Sequence, residues 1–206
     1  MQLDLREEYE FTSDWFSWNI DTWQRIFSNV GVSPCRVIEV GSYEGRSTVW
    51  IIENLLTRAG GSIVAIDAWA EGTEADQREM GAVEDRFDRN IGIAKGRCPD
   101  VEIQKCKGPS WLALSQLIEG GLQGTFDFIY IDGNHQASDV LTDLVLSFRL
   151  CRVGGLIFCD DYLWEMHRPV TETPKLAIDS FLACFRFKMQ IIPERFYQIY
   201  LQKTAD

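Results

Sequence analysis

Long apolar runs, histidines and paired cysteines are all scarce in this chain of 206 residues. No stretch approaches the roughly 18 uninterrupted apolar residues of a membrane-spanning helix, and charges occupy the start of the chain, where a signal peptide would have an apolar core. The six cysteines include no CxxC pair, which argues against a zinc site or a disulfide framework and predicts reduced, buried thiols. These absences predict a cytoplasmic protein.

Positive charge is also in deficit. The chain has 20 Lys and Arg against 31 Asp and Glu, a formal net charge of −11 and a pI near 4.7. A nucleic acid or an anionic membrane surface is therefore not expected as a partner, because both attract basic proteins. With 46% hydrophobic residues and no linker-like stretch, residues 1–206 are predicted to form one compact domain.

Short apolar segments alternate with amphipathic ones along the chain. The predicted strands are Arg36–Val40, Ser62–Ile66, Val101–Cys106, Phe126–Ile131, Leu156–Cys159, Phe187–Ile192 and Tyr197–Gln202. The predicted helices are Asp14–Ser28, Ser47–Arg58, Ser110–Glu119, Ser138–Cys151 and Lys175–Cys184. This order predicts an α/β fold with a doubly wound, mostly parallel seven-stranded sheet and an antiparallel C-terminal hairpin strand. Residues 1–30 are predicted to form a helical cap, and residues 68–96 a lid or a short helix at 82–90.

Acidic residues stand at the ends of three predicted strands. Glu39 lies near the end of the first strand, Asp132 follows the fourth, and Asp160 and Asp161 follow the fifth. The carboxyl ends of parallel strands share one rim, and open α/β sheets bind their ligands there. The sequence therefore predicts a cationic ligand at this rim.

The turn after the first strand, Gly41–Thr48, resembles two phosphate-binding motifs and satisfies neither. Its glycines are too close together for a P-loop, the dinucleotide pattern GxGxxG is absent, and Glu44 would repel a pyrophosphate. The glycines instead let a ligand approach the backbone, and the helix N-terminus with Ser47 can bind a carboxylate. Since Glu39 can accept a hydrogen bond from an ammonium group, the turn predicts an amino-acid ligand.

Asp67 extends this interpretation to a second part of the ligand. It follows the second strand, where an acidic side chain can accept hydrogen bonds from both hydroxyls of a ribose. An amino acid joined to a ribonucleoside points to S-adenosylmethionine. The structural alternatives are a capping or ion-paired role for Glu39 and a turn role for Asp67.

These motifs resemble those of the class I S-adenosylmethionine-dependent methyltransferases, which have a Rossmann-like fold. Glu39–Ser47 is similar to the cofactor loop of the catechol O-methyltransferase group, and Asp132–His135 with Asp160–Tyr162 is similar to the metal-dependent macrolide-sugar O-methyltransferases. The resemblance implies the following cofactor contacts: Glu39, Gly41, Ser42, Tyr43, Gly45, Ser47, Asp67, Ala68, Ser110, Trp111 and Asp132.

The second acidic group predicts a metal ion. Asp132, Asp160 and Asp161 would repel one another unless they were protonated or neutralised, and oxygen-only ligands suit Mg²⁺, with Mn²⁺ or Ca²⁺ as alternatives. A substrate hydroxyl bound there would have a lowered pKa. The resemblance implies that His135 is the catalytic base and that Asp132 takes part in catalysis; the alternative for His135 is to cap the following helix. The acceptor is expected to be a small molecule with a vicinal diol, either a sugar or a catechol.

Three other functions are compatible with the sequence. They are a metal-independent methyltransferase, an oxidoreductase or hydroxylase on a similar scaffold, and a nonenzymatic S-adenosylmethionine-binding protein. The N-terminal tryptophans Trp15, Trp18 and Trp23 are expected to cover the substrate or to pack against a second subunit, so a homodimer is also compatible with the sequence.

Overall fold

The computed structural model describes residues 9–56, 60–70, 80–194 and 197–206. The described chain contains seven strands: β1 Arg36–Val40, β2 Ser62–Asp67, β3 Glu102–Lys107, β4 Phe126–Ile131, β5 Cys151–Cys159, β6 Met189–Ile192 and β7 Ile199–Lys203. They form one sheet in the order β3-β2-β1-β4-β5-β7-β6. The first five strands run parallel, and β7 pairs antiparallel with both β5 and β6.

Six α-helices connect or flank these strands in the described chain: α1 Ile20–Val30, α2 Arg46–Asn54, α3 Met80–Arg97, α4 Ser110–Glu119, α5 Ala137–Leu150 and α6 Pro174–Phe185. Short 3₁₀ turns cover Ser17–Asn19 and Val170–Glu172. Helix α1 ends at Gly31, which adopts the left-handed conformation that closes many helices. Helix α6 begins with Pro174, whose fixed φ suits the first helical position.

The two faces of the sheet bury different apolar sets, because side chains alternate along each strand. On one face Phe128, Tyr130 and Phe158 pack against α1 and α2. Trp23 of α1 is fully buried at the centre of this layer, with its ring centroid 4.7 Å from that of Tyr130. On the other face the alternate strand residues pack against α4, α5 and α6. Helices on both faces bury the parallel strands β1, β2 and β4 almost wholly, whereas the edge strand β3 stays partly exposed.

The strand register brings the ends of the central strands to one rim. Glu39 of β1 lies beside Tyr130 of β4, and Tyr130 lies beside Phe158 of β5. Strand β7 runs the other way, so its first residue, Ile199, lies beside Cys159 at the end of β5. The residues that follow β1, β4 and β5 and those that precede β7 therefore meet at this rim.

The predicted fold class is confirmed, with the parallel sheet and its antiparallel hairpin in the expected order. Some boundaries were wrong. Strand β5 begins at Cys151 rather than Leu156 and continues through the Gly154–Gly155 pair. The second glycine is required inside the strand, because a Cβ at Gly155 would lie 2.7 Å from Cys151 Sγ. The first α-helix starts at Ile20 rather than Asp14, since the Asp14 carboxylate accepts hydrogen bonds from the N–H groups of residues 16 and 17 and stabilises a turn.

The segment expected to be a lid contains a longer helix than predicted. Helix α3 runs from Met80 to Arg97 instead of 82–90, and Lys95 and Arg97 in its last turn favour this extension. Residues 71–79 of the predicted lid lie outside the described residues. So do residues 1–8 of the cap, 57–59 at the end of the second predicted helix, and 195–196 in the hairpin connection. Within the described chain, no helix combines the length and the apolar character that a membrane span requires.

Candidate cofactor and acid site

The Glu39 carboxylate is fully buried at the end of β1 and is only partly hydrogen-bonded. Its Oε2 atom accepts from Ser42 Oγ at 2.8 Å and from Thr48 Oγ1. Its Oε1 atom has no hydrogen-bond partner among the described residues. Burial raises the pKa of Glu39. A buried oxygen without a donor is unfavourable, and a ligand N–H group would satisfy it.

The turn that follows β1 requires glycine at its first position. Gly41 has φ +87°, and a Cβ built there would lie 1.9 Å from the carbonyl oxygen of Asp132. Backbone hydrogen bonds join the end of β1 to the ends of β4 and β2. The Asp132 N–H donates to the Val40 carbonyl at 2.7 Å, and the Gly41 N–H donates to the Ile66 carbonyl at 2.8 Å. The turn therefore packs backbone to backbone against the end of β4, close to the acidic residues. Gly45, at φ +82°, is the N-cap residue of α2.

Asp67, at the end of β2, stabilises the turn by hydrogen bonds to its backbone. Its Oδ2 atom accepts from the backbone N–H groups of Ser42 at 3.0 Å and Tyr43 at 2.8 Å, and its Oδ1 accepts from that of Trp69 at 2.8 Å. Asp67 thus has the turn role that the sequence left open. Because a carboxylate has about four lone-pair positions, three backbone bonds leave capacity for a ligand hydroxyl.

Aromatic side chains surround Tyr43 in this turn. Tyr43 has φ +47°, and its carbonyl accepts from Trp69 Nε1 at 2.9 Å. The Trp15 ring lies 5.0 Å from the Tyr43 ring. Trp69 is buried against Phe87 of α3, whereas Trp15 is 55% exposed. The Gly41–Gly45 turn, which is the predicted cofactor turn, is therefore covered by aromatic groups from the segment before α1 and from the end of β2.

Glu44, also in this turn, hydrogen-bonds to the N-terminal segment and to α3. Its buried carboxylate accepts from the backbone N–H and the hydroxyl of Thr12, both at 2.6 Å, and from Arg86 Nε of α3 at 2.7 Å. Asn90 Nδ2 donates to the Glu44 carbonyl at 2.9 Å. Glu44 therefore connects the turn, the N-terminal segment and α3.

The remaining predicted cofactor residues lie next to Asp67 or in the same turn. Gly108 N–H donates to the Asp67 carbonyl at 2.9 Å, which brings the start of α4, with Ser110 and Trp111, beside the end of β2. Trp111 is 53% exposed and Ala68 is also exposed, whereas Ser47 is buried in α2. The structure thus gathers the predicted cofactor residues along the ends of β1, β2, β3 and β4.

Asp132, Asp160, Asp161 and His135 lie further along the same rim, near Tyr130, and are called the acid site below. The phenol oxygen of Tyr130 contacts Oδ2 of Asp132 at 2.9 Å and Oδ2 of Asp160. A phenol carries one proton and can donate to only one of two carboxylates. The second contact is favourable only when one carboxyl is protonated or when a cation offsets the charge. Burial and the neighbouring carboxylates raise the pKa of Asp132, and burial and Asp161 raise that of Asp160.

Gln198 connects this cluster to the N-terminal helix. Its Nε2 donates to Asp160 Oδ2 at 2.5 Å, and its Oε1 accepts from Trp23 Nε1 at 2.9 Å. Gln198 and Trp23 are 1% and 0% exposed. Their amide and indole groups therefore hold the Asp160 carboxylate on the α1 side of the sheet.

Asp161 faces His135. The Asp161 Oδ2 atom lies 2.8 Å from His135 Nε2, and Oδ1 accepts from Tyr197 Oη at 3.0 Å. The imidazole stacks on Trp164, with centroids 4.0 Å apart and planes 16° apart. Asp161 adopts φ +58°, a left-handed conformation that is sparsely populated outside glycine and that occurs often at functional sites. His135 does not cap α5, whose N-cap residue is Gln136.

The three aspartates have the oxygen chemistry of a divalent-cation site without its geometry. In the described part of the chain, no three His, Cys, Asp or Glu side chains are grouped so that they could hold a metal ion. Their carboxylates are directed at hydrogen-bonding partners instead: Tyr130, Gln198, His135 and Tyr197. Asp132, Asp160, Asp161 and His135 nevertheless line one small cavity of about 10 Å³, roughly the space of one water molecule. The predicted metal site stays a prediction.

Sequence reasoning missed Tyr130, Gln198 and Thr48. Tyr130 could have been identified, because a residue two positions before a strand-end acid lies on the same face of the strand. Thr48 follows Ser47 in α2, the helix after the Gly41–Gly45 turn, and no residue pattern separates it from an ordinary core position. Gln198 is remote in sequence from every residue that it contacts.

A family of known proteins matches this region. A family model described as "Methyltransferase domain" matches residues 38–162, more than half of the chain. The chain belongs to this methyltransferase family. The match includes the cofactor turn and all three aspartates of the acid site, and it confirms the family predicted from the motifs.

Curated relatives of this methyltransferase share shorter segments. Caffeoyl-CoA O-methyltransferase 1 of Eucalyptus globulus is 43% identical over 59 residues, which cover 29% of this chain and 23% of that protein. A probable caffeoyl-CoA O-methyltransferase 3 of Dictyostelium discoideum is 37% identical over 79 residues, 38% of this chain and 31% of that protein. The matches thus span less than a third of the length of these relatives.

Solved structures share the fold over nearly the whole methyltransferase. An O-methyltransferase from Bacillus cereus in complex with SAH has a TM-score of 0.66 at 20% identity, covering 94% of this chain and 84% of that one. MycE, a methyltransferase from the mycinamycin biosynthetic pathway solved with Mg and SAH, has a TM-score of 0.61 at 17% identity, covering 94% and 51%. At these identities the likeness concerns the fold.

Proposed function

We propose that this protein is an S-adenosylmethionine-dependent O-methyltransferase that acts on a hydroxyl group of a small molecule. One observation carries the proposal: Glu39 keeps a fully buried carboxylate oxygen that has no donor among the described residues, beside a turn whose first position, Gly41, has no room for a Cβ. That oxygen fits a ligand ammonium group, and the N-terminus of α2 fits its carboxylate. The family membership and the SAH-bound structural neighbours support the same ligand.

The cofactor would lie along the ends of β1, β2 and β3. Glu39, Ser42, Tyr43 and Ser47 would bind the methionine part, with Gly41 and Gly45 giving it access to the backbone. Asp67 and Ala68 would face the ribose, Ser110 and Trp111 the adenine, and Asp132 would border the methionine end. When bound, S-adenosylmethionine supplies an electrophilic methyl group on a sulfonium.

A divalent cation, most simply Mg²⁺, would be held by Asp132, Asp160 and Asp161 once their carboxylates had turned from their present hydrogen-bonding partners towards one point. When bound, such an ion lowers the pKa of an acceptor hydroxyl. His135 would accept the hydroxyl proton through its imidazole, which Trp164 holds by stacking. Tyr130 and Gln198 would orient Asp160. The mycinamycin enzyme solved with Mg supports this assignment.

A metal-independent enzyme is the second candidate, and one contact favours it. Asp161 is already paired with His135 at 2.8 Å, as expected when a carboxylate orients a general base without a metal. Both versions remove the proton at His135. They differ in whether Asp161 binds a cation or the imidazole during turnover.

Cofactor binding is tested by calorimetry with S-adenosylhomocysteine (SAH). Wild-type protein should bind SAH, and Glu39→Gln should bind it at least tenfold more weakly, because the ammonium group loses a buried ionic acceptor. Glu119→Gln, an equal change at an exposed position, serves as the control. Undiminished SAH affinity in Glu39→Gln would contradict the cofactor site.

Turnover is tested by mass spectrometry with vicinal-diol acceptors, catechols and methyl glycosides. A gain of CH₂, about 14 Da, identifies methyl transfer when its exact mass distinguishes it from the gain of one oxygen with loss of two hydrogens, and it excludes hydroxylation. The named substrates of the curated relatives make hydroxylated phenylpropanoids a further acceptor set. SAH binding without methylation of any acceptor would favour a nonenzymatic binding protein.

A further inference from the structure

A cavity of about 380 Å³ opens between the start of α1 and the start of β7. The described residues that line it are all uncharged: Trp18, Asn19, Thr22, Tyr197, Gln198 and Tyr200. Sites for small molecules commonly have volumes of roughly 300–1,000 Å³, apolar and aromatic walls and a few polar groups. The cavity has this character and is separate from the small space between the three aspartates.

Two of the lining residues also touch the acid site. Gln198 donates to Asp160 at 2.5 Å, and Tyr197 donates to Asp161 at 3.0 Å. The cavity therefore borders the carboxylates from the side of α1. A compound seated there could present a hydroxyl group towards the acid site.

Asn19 supplies a polar group without a partner. It occupies the N-cap position of α1, where an Asn side chain ordinarily accepts a hydrogen bond from the first helical turn. Here the side chain makes no capping bond, the residue is 5% exposed, and Nδ2 has no partner among the described residues. A buried amide N–H without an acceptor is unfavourable. Because Asn19 also lines the cavity, a ligand oxygen there would satisfy this N–H group.

We infer that this cavity receives the ring of an uncharged, flat methyl acceptor, and that Asn19 orients the ring by donating a hydrogen bond from its amide; the inference rests on the proposed function. The indole of Trp18 and the rings of Tyr197 and Tyr200 suit a flat ring. An anionic ring is disfavoured, because the aspartates nearby would repel it and none of the described residues that line the cavity is cationic. Asn19 is thus a residue that determines acceptor specificity.

The test uses two probes with the same aromatic vicinal diol. 4-Methylcatechol is uncharged, and 3,4-dihydroxybenzoate carries a carboxylate at neutral pH. Calorimetry on protein saturated with SAH should show at least tenfold tighter binding of 4-methylcatechol. Asn19→Leu should weaken that binding about three- to tenfold, the effect of one hydrogen bond, with SAH affinity unchanged. Asn29→Leu makes the same change at an exposed position of the same helix and should leave both affinities intact.

A second measurement does not depend on a variant. In an amide-detected NMR spectrum of the wild-type protein with SAH, the Asn19 side-chain signal should shift on addition of 4-methylcatechol. An unmoved Asn19 signal, no binding of 4-methylcatechol, equal affinity for the two probes, or tighter binding of the sugar diol methyl α-mannopyranoside would overturn the inference. If the wild-type protein failed to bind SAH, the proposed function itself would fail, and that result is read from the same titrations.

Discussion

The Nε2 atom of His135 lies 2.8 Å from Oδ2 of Asp161, so one carboxylate serves both as the partner of the imidazole and as a member of the acidic group. A cation between the aspartates would draw on the same oxygen atoms. The role of Asp161 therefore separates the metal-dependent mechanism from the metal-independent one.

We predict that His135→Asn lowers kcat about 10²- to 10⁴-fold, because the acceptor hydroxyl loses its proton acceptor. SAH affinity should stay within a factor of two. Steady-state kinetics with any acceptor that the wild type methylates, together with SAH titration, measures both quantities. An unchanged kcat would exclude His135 as the base. His167→Asn, a change in a loop without an assigned role, is the matched control.

We predict that removal of divalent cations by EDTA abolishes turnover in the wild type and that added Mg²⁺ restores it. Asp160→Asn should need far more Mg²⁺ for half-maximal rate, since one carboxylate ligand is lost. Glu194→Gln, outside the rim cluster, should respond like the wild type. Full activity in EDTA would establish the metal-independent mechanism, in which Asp161 orients His135.

We predict that Gly41→Ala lowers the free energy of unfolding by roughly 3–5 kcal/mol, because the left-handed backbone is strained and the new methyl group overlaps the Asp132 carbonyl. Gly31→Ala is the control: it also has a positive φ, +69°, but its Cβ would meet nothing within 4 Å. This variant should lose only about 1–2 kcal/mol. Urea unfolding measures both values, and equal losses would show that the close approach of the strand ends has no energetic weight.

We predict that stability depends on Asp143 of α5, which is 2% exposed and has an Oδ1 atom without a partner in the described chain. Burial raises the pKa of Asp143 to about 7. An unfolded Asp titrates near pH 4, so between about pH 4 and 7 the folded state keeps a proton that the unfolded state has lost, and this group makes stability fall as the pH rises through that window.

Asp143→Asn should therefore be more stable than the wild type at pH 8, by roughly 2–4 kcal/mol, and the gain should disappear near pH 4. Thermal or urea unfolding at the two pH values measures it. Asp100→Asn, at an exposed position, is the control and should show no such dependence. A gain of equal size at both pH values would assign the effect to packing rather than to the buried charge.

Much of the fold was predictable because each strand is a short apolar run bounded by glycine or polar residues. Strands β1 and β4 and helix α4 have the predicted boundaries. Strand β5 was cut short because its glycine pair indicates a break in a local pattern, whereas Gly155 serves a close contact with Cys151. A Cβ at Gly155 would also lie 3.0 Å from the carbonyl oxygen of Asp127 on the neighbouring strand β4, and that tertiary contact cannot be recognised in the local sequence.

The site divides in the same way. The location of Glu39, Asp67, Asp132 and the Asp160–Asp161 pair at one rim was predictable, because the ends of parallel strands share a rim whatever the details of packing. The groups that orient these acids were not predictable, since each is a tertiary contact. Trp164 reaches His135 from the loop after β5, and no spacing rule connects the two residues.

The hydrogen bond between Trp23 and Gln198 joins residues 175 positions apart. A ribosome must therefore synthesise the chain as far as residue 198 before Gln198 can accept the indole hydrogen bond of Trp23 and donate to Asp160. Until then, the N-terminal helix can pack its aromatic rings, but the carboxylate cluster lacks one of its walls. Contacts of such long sequence separation form late and slow folding, so Asp160 should gain its Gln198 partner only when β7, which directly follows Gln198, joins the sheet.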